Sequence, residues 1–304
     1  MGVKIIKTTN FSWYYLNNFS EEELAFLKNN FKFHPLDLKD CASEIQRTKL
    51  DIYKNYLFLA VQLPFLDLAH KRITVNQVYL FVGKDYFITV TKERIKSLSN
   101  FFYKAINNQR FKEESFSKGP GYLLYRILDL LLRVSWSLPN YIDQEIKRVE
   151  DDLDEGKGKK VVFDIAYLRR LILQLKSIID PQRIATNMLS KINVSFLSNE
   201  MLVYFDDLND FIEKKWLTLD SYRDRVLSLQ EINESLISYQ TNRIMKILTI
   251  FSVALMPLTL LSGIYGMNID LPLIQNPHLI WGLFGILALI VLGIFLILKK
   301  IDWL

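Results

Sequence analysis

Two uninterrupted apolar runs near the C-terminal end limit this chain more than any other feature. Residues 247–264 are 18 positions, and residues 279–298 are 20, without Asp, Glu, Lys or Arg. A helix of about 20 apolar residues crosses a hydrocarbon core about 30 Å thick, so each run predicts a transmembrane helix. The residues before 247 carry charge throughout, and a segment of that length can bury a core of its own. The pattern therefore predicts a large extramembrane part followed by a pair of spans.

Charge orients the spans. Arg243 and Lys246 precede the first and Lys299 and Lys300 follow the second, while residues 265–281 between them hold neither Lys nor Arg. Basic residues stay on the cytoplasmic side, so both termini are expected inside and the short connection outside, in a cell membrane. The first ten residues, Met1-Gly2-Val3-Lys4-Ile5-Ile6-Lys7-Thr8-Thr9-Asn10, lack the apolar core and cleavage site of a signal peptide.

Composition narrows the chemistry. The single Cys41 excludes an internal disulfide, and His34, His70 and His278 are too scattered for a zinc-ligand spacing. The formal charge of +5 would suit an anionic partner. However, the basic residues are dispersed apart from Lys157, Lys159 and Lys160 in a glycine-containing turn, which argues against a nucleic-acid surface. No Gly-rich phosphate loop and no Gly-X-Ser-X-Gly elbow occurs, so the chain does not read as an enzyme and no organic cofactor is expected.

The segments Tyr56-Leu57-Phe58-Leu59-Ala60-Val61-Gln62-Leu63, Gln77-Val78-Tyr79-Leu80-Phe81-Val82 and Tyr86-Phe87-Ile88-Thr89-Val90 predict strands. Gly83-Lys84-Asp85 supplies turn chemistry between the last pair. Ser20-Glu21-Glu22-Glu23 before Leu24, Phe26 and Leu27 reads as a capped helix start. Beyond Gly119-Pro120-Gly121, the residues Leu123, Leu124, Ile127, Leu128, Leu131 and Leu132 recur at helical spacing. Gly156-Lys157-Gly158 predicts a turn between antiparallel helices, and Asp180-Pro181 a helix break.

Residues 201–256 contain neither Gly nor Pro, and Phe205, Leu208, Ile212, Trp216, Leu219, Tyr222, Val226, Leu229 and Leu236 fall mostly three or four apart. Unbroken, they form a helix roughly 80 Å long that needs a partner and leads straight into the first span. The expected fold is an α+β cytoplasmic domain, a mixed sheet with helices, then a long helix and two C-terminal transmembrane helices. Its segments are 1–118 (α/β), 119–199 (helical), 200–264 (long helix and first span), 265–278 (external loop), 279–298 (second span) and 299–304 (basic tail).

Within the first span, Thr249, Ser252, Met256, Thr259 and Gly263 share one helical face. Such a stripe either lets helices approach closely or lines a polar path. Since a pair of spans cannot enclose water, a path requires several copies around an axis. The stripe holds no charge, which suits an ion that keeps its water. Mg²⁺ dehydrates reluctantly and can be held through its hydration shell by neutral oxygens. Gly266-Met267-Asn268, just beyond the stripe, is either a helix ending or a source of such oxygens.

Tyr265-Gly266-Met267-Asn268 at the end of the first of two C-terminal spans resembles the signature of the CorA family of magnesium and cobalt transporters. The likeness extends through Thr241-Asn242-Arg243-Ile244-Met245-Lys246-Ile247-Leu248-Thr249 and Met256-Pro257-Leu258-Thr259. It extends more weakly to His34-Pro35-Leu36, Lys49-Leu50-Asp51-Ile52-Tyr53, Gly83-Lys84-Asp85-Tyr86 and Tyr122-Leu123-Leu124-Tyr125. The resemblance implies a funnel-shaped homopentamer in the lipid bilayer that takes up hydrated Mg²⁺, with Co²⁺ or Ni²⁺ as further substrates, down the membrane potential.

By the same resemblance, Gly266, Met267 and Asn268 form the external selectivity filter. Gly263, Thr259, Met256, Ser252, Thr249, Leu248, Met245 and Asn242 line the path inward, with the Met and Leu levels as a hydrophobic gate. It further implies that cytoplasmic Mg²⁺ holds the closed state, with Asp207 and Asp67 as the matching regulatory acids. Departures from the pattern are Ile269-Asp270-Leu271-Pro272-Leu273, which lacks the family's usual Glu, and Arg133, where an Asp is frequent. The alternatives are another divalent substrate, such as zinc in ZntB-type relatives, or a membrane-anchored sensor that moves no ion.

Overall fold

The computed structural model describes residues 2–17, 19–43, 46–268 and 277–300. The expectation for Ile269-Asp270-Leu271-Pro272-Leu273 therefore lies outside the described residues. The first elements are β1 (Val3–Lys7), β2 (Ser12–Asn17), α1 (Glu21–Asn30), α2 (Pro35–Ala42), β3 (Lys49–Ile52), β4 (Tyr56–Asp67), β5 (Arg72–Gly83) and β6 (Tyr86–Thr91). Helices follow: α3 (Lys96–Asn107), α4 (Gln109–Phe116), α5 (Pro120–Val134), α6 (Ser137–Asp154), α7 (Gly158–Ser190), α8 (Met201–Tyr265) and α9 (Pro277–Lys300). The Ser20 start is realised as a full capping box, in which the Glu22 amide donates to Ser20 Oγ and the Ser20 amide donates to Glu23 Oε2.

The strands form a mixed sheet in the order β1-β2-β6-β5-β4-β3, with β2 parallel to β6 and the other pairs antiparallel. Its central strands are apolar on both faces because both are covered. In β4, Leu57, Leu59, Val61 and Leu63 face a core shared with α3 to α8, while Phe58 and Ala60 face a smaller core under α1 and α2. Trp13 is wholly buried where β2 meets β6, and its indole N–H donates to Thr89 Oγ1 at 3.1 Å. At the β5–β6 turn a Cβ on Gly83 would come within 2.5 Å of the Tyr86 ring. The turn thus requires glycine for space.

Gly156 makes the α6–α7 turn with φ +76°, a conformation glycine adopts without strain. The expected break at Asp180-Pro181 does not occur, since α7 runs through Pro181 without interruption. Proline removes one backbone hydrogen bond, but Ile178 and Ile179 just before it are buried. Gln182 just after it donates through Nε2 to the Gln62 carbonyl at 2.5 Å. Tertiary contacts on both sides of the proline hold the helix together.

The chain divides into two compact units, Met1–Leu229 and Gln230–Leu304. Helix α8 contributes to both. In the first unit Phe205, Leu208, Ile212, Leu219, Val226 and Leu229 are buried, so the long helix finds its partner in its own domain. Leu236, predicted to continue this stripe, lies in the second unit and is exposed. In the second unit, α8 and α9 are the two helices, among the described residues, long and apolar enough to cross a membrane.

Candidate ion-conduction site

The unit Gln230–Leu304 supplies the candidate path, and its faces can be assigned from burial along α8. Ile250, Ala254, Pro257, Leu258, Leu261 and Tyr265 are half-buried and recur three or four apart. Four of these, Ile250, Ala254, Pro257 and Leu258, line an apolar groove of about 690 Å³ whose other wall is α9 from Leu287 to Phe295. This side of α8 therefore faces α9.

The predicted stripe lies on the other side. Asn242, Met245, Leu248, Thr249, Ser252, Met256, Thr259 and Gly263 are all exposed in the single chain. At about 100° per residue, their mean direction is roughly opposite to that of the α9-facing residues. Thr249 borders both faces, since it also lines the groove. No side-chain atom would be crowded by a Cβ at Gly263, which leaves that level of the stripe open.

The hydroxyls on the stripe have a defined polarity. Thr249 Oγ1 donates to the Met245 carbonyl at 2.8 Å, Ser252 Oγ to Leu248 at 2.9 Å and Thr259 Oγ1 to Leu255 at 3.0 Å. Each hydroxyl hydrogen is thus spent within the helix. What remains outward is a pair of oxygen lone pairs, an acceptor for the hydrogens of water on a hydrated cation. Between Ile247 and Tyr265 the helix carries no ionisable acid or base other than the tyrosine itself, so the polar groups on this face are neutral oxygens.

Helix α8 ends at Tyr265 through the Gly266 amide, which donates to the Ser262 carbonyl at 2.9 Å, and the Met267 amide, which donates to Ile264 at 3.2 Å. Gly266 does not take the left-handed conformation of a common helix cap. Instead, a Cβ there would stand 3.0 Å from the Ser262 carbonyl oxygen, so glycine is needed for the close approach of the final turn. Met267 and Asn268 follow, both exposed.

The acids expected to regulate lie in the first unit on separate elements. Asp67 closes β4, where Oδ1 accepts from the His70 amide at 3.2 Å and Oδ2 is 2.7 Å from His70 Nδ1 and 3.7 Å from Arg72 Nε. The hydrogen bond from His70 holds the Asp67 carboxyl below its ordinary value. It borders a cleft of about 600 Å³ with Phe65, Leu68, Asn76 and Lys92. Asp207 sits on α8, where it accepts from the Tyr125 hydroxyl at 3.3 Å and lies 4.0 Å from Arg133 Nη2. Among the described residues no hydrogen bond or ion pair joins Asp67 to Asp207, and no group of three or more His, Cys, Asp or Glu could hold a metal ion.

Two residues at this site were not singled out by sequence reasoning as functional. Tyr125 and Asp129 precede Arg133 at intervals of four on α5, and Arg133 Nε donates to Asp129. Burial, then the charges of Asp207 and Asp129, push the Tyr125 hydroxyl up to about 12, so it remains a donor. The spacing of four on a mostly apolar helix was the available signal.

A mixed-sheet domain that continues by a single helix into a pair of membrane-length apolar helices, with a neutral polar stripe opposite the second helix, has the makings of a multi-pass ion transporter. The family model for "CorA-like Mg2+ transporter protein" matches residues 8–300. The chain is 30% identical over 282 residues to the cobalt/magnesium transport protein CorA of Thermotoga maritima, covering 90% of this chain and 78% of that one. It is 32% identical over 304 residues to the magnesium transport protein CorA of Helicobacter pylori, covering 96% of this chain and 90% of that one. The structure of the CorA magnesium transporter from Methanocaldococcus jannaschii shares the fold, with a TM-score of 0.80 at 23% identity over 95% of this chain and 91% of that one. The chain belongs to the CorA family of divalent metal ion transporters, a family of membrane proteins that move ions rather than catalyse a reaction.

Proposed function

We propose that the chain assembles as a homopentamer that conducts hydrated Mg²⁺ into the cell, with Co²⁺ and Ni²⁺ as further substrates. The single observation that carries this reading is the arrangement of α8. Its α9-facing side is apolar and half-buried, and its opposite side presents oxygen lone pairs from Thr249, Ser252 and Thr259. Copies around an axis bring those oxygens together. A divalent ion crossing inward gains roughly 4.6 kcal/mol per 100 mV of inside-negative potential, so no energy-coupling site is required.

Gly266, Met267 and Asn268 form the external filter in this reading. The Asn268 side-chain oxygen accepts hydrogen bonds from the ion's own water, and Gly266 permits the tight final turn that presents it. Met245, Leu248 and Met256 form narrow apolar rings that lose water and block the ion when closed, while Asn242 lies at the cytoplasmic end of the stripe. Both termini are cytoplasmic. Cytoplasmic Mg²⁺ bound through Asp67 and Asp207 of adjacent copies favours the closed state, and the uninterrupted α8 carries the change to the gate.

The test of the filter is Mg²⁺ flux into vesicles holding the full chain. Asn268→Ala and Asn268→Asp are expected to abolish selective uptake while the oligomer stays intact. Unchanged flux and unchanged preference among Mg²⁺, Co²⁺, Ni²⁺ and Zn²⁺ would contradict the role given to Asn268.

A further inference from the structure

The surroundings of Asp207 are not those of a vacant cation site. Arg133 Nη2 is 4.0 Å from Asp207 Oδ2, and Arg133 Nε donates to Asp129, so one guanidinium spans both carboxylates. It is held there by more than charge. Its centre lies 4.8 Å from the Phe211 ring, and Lys215 Nζ lies 4.8 Å from the same ring and 3.8 Å from that of Trp136. Stacking on an aromatic face fixes a guanidinium's position, and its fork of donors suits carboxylates. Burial, then the positive charges of Lys214 and Arg133, depress the Lys215 amine. Asp67 is likewise provided for, with Arg72 at 3.7 Å and His70 at 2.7 Å.

A divalent ion approaching Asp207 therefore meets a resident cation of the same chain. Mg²⁺ must give up or rearrange bound water to use a carboxylate, whereas the guanidinium is already anchored on Asp129 and 4.0 Å from Asp207. A tethered group competes at an effective concentration in the millimolar range, so free Mg²⁺ displaces it only when it is itself abundant. We propose that Arg133 is a built-in competitor for the divalent cation at Asp207, which occupies the Asp129–Asp207 pair when cytoplasmic Mg²⁺ is low and raises the concentration at which the channel closes. The proposal rests on Asp207 being a regulatory ligand, as set out above.

The test measures the cytoplasmic-side Mg²⁺ concentration that halves flux through the full chain in vesicles. Arg133→Gln is expected to lower that concentration about three- to five-fold, the effect of losing one partly exposed ion pair. Arg133→Met, which keeps apolar contact with Phe211, is expected to do the same, and Arg133→Lys to stay near the original value. Asp207→Asn is expected to raise the concentration or abolish closure in every background. If Arg133→Gln and Arg133→Met leave the concentration unchanged while Asp207→Asn raises it, the competition is refuted and the regulatory role of Asp207 stands. If Asp207→Asn has no effect, both fall.

Discussion

Thr249 Oγ1 donates its hydrogen to the carbonyl of Met245, one turn earlier on α8, at 2.8 Å. The bond converts a group that could either donate or accept into one that only accepts. Ser252 and Thr259 are held in the same way. A wall of such acceptors discriminates by the water an ion carries, since an anion's hydration shell points its oxygens, and not its hydrogens, outward.

Removing those acceptors is therefore expected to slow conduction without unfolding the helix. Ser252→Ala and Thr259→Val each remove one acceptor per copy, worth about 1 kcal/mol or about a five-fold loss of Mg²⁺ flux. The double variant is expected to lose more than either alone, with oligomer size by gel filtration unchanged. Flux equal to that of the unaltered chain would mean that the stripe serves helix packing instead.

The apolar levels carry the opposite expectation. A hydrophobic gate blocks because its ring dries out, so Leu248→Asn or Met245→Ser should keep it wet and leave a residual leak, about ten-fold above the closed level of the unaltered chain. Flux at a closing concentration of cytoplasmic Mg²⁺ measures this. Complete closure of both variants would remove Met245 and Leu248 from the gate.

In the unit Met1–Leu229, the turn between α6 and α7 makes a pH-dependent prediction. Lys160 and Lys157 hydrogen-bond to Asp152 at 2.6 and 2.9 Å and lower its carboxyl to about 2. A carboxyl depressed in the folded state adds stability above its unfolded value, near 3.9, and loses it as pH falls through the folded one. Asp152→Asn should accordingly lower the Tm of the full chain at pH 7, with the gap to the unaltered chain narrowing between about pH 4 and pH 2. A gap independent of pH would show that the lysines do not act on the carboxylate charge.

The architecture was legible in the sequence where a signal is local or periodic. The two long apolar helical stretches followed from hydropathy, β4 to β6 from their apolar runs, and the start of α1 from Ser20 and Glu23. Strand order was not legible, because the parallel pairing of β2 with β6 joins Trp13 to Phe87 across most of the sheet-forming sequence. Pro181 misled for a related reason: the Gln182 to Gln62 bond that helps hold α7 is a contact at long range. At the site, the shared face of Thr249, Ser252, Met256, Thr259 and Gly263 could be read from spacing, whereas Asn242, Met245 and Leu248 joined it only through the family resemblance, and which side of α8 turns away from α9 required the structure. The grouping of Tyr125, Asp129 and Arg133 around Asp207 required the packing of α5 on α8.

The central claim is that the chain conducts Mg²⁺ down the membrane potential. Its most direct test is Mg²⁺ uptake into vesicles containing the purified full chain, read with an internal Mg²⁺-sensitive dye while the potential is set by a K⁺ gradient. Uptake should begin on addition of external Mg²⁺ and should accelerate as the interior is made more negative. Absence of Mg²⁺ uptake at every gradient and every potential would contradict the account and reduce the spans to anchors.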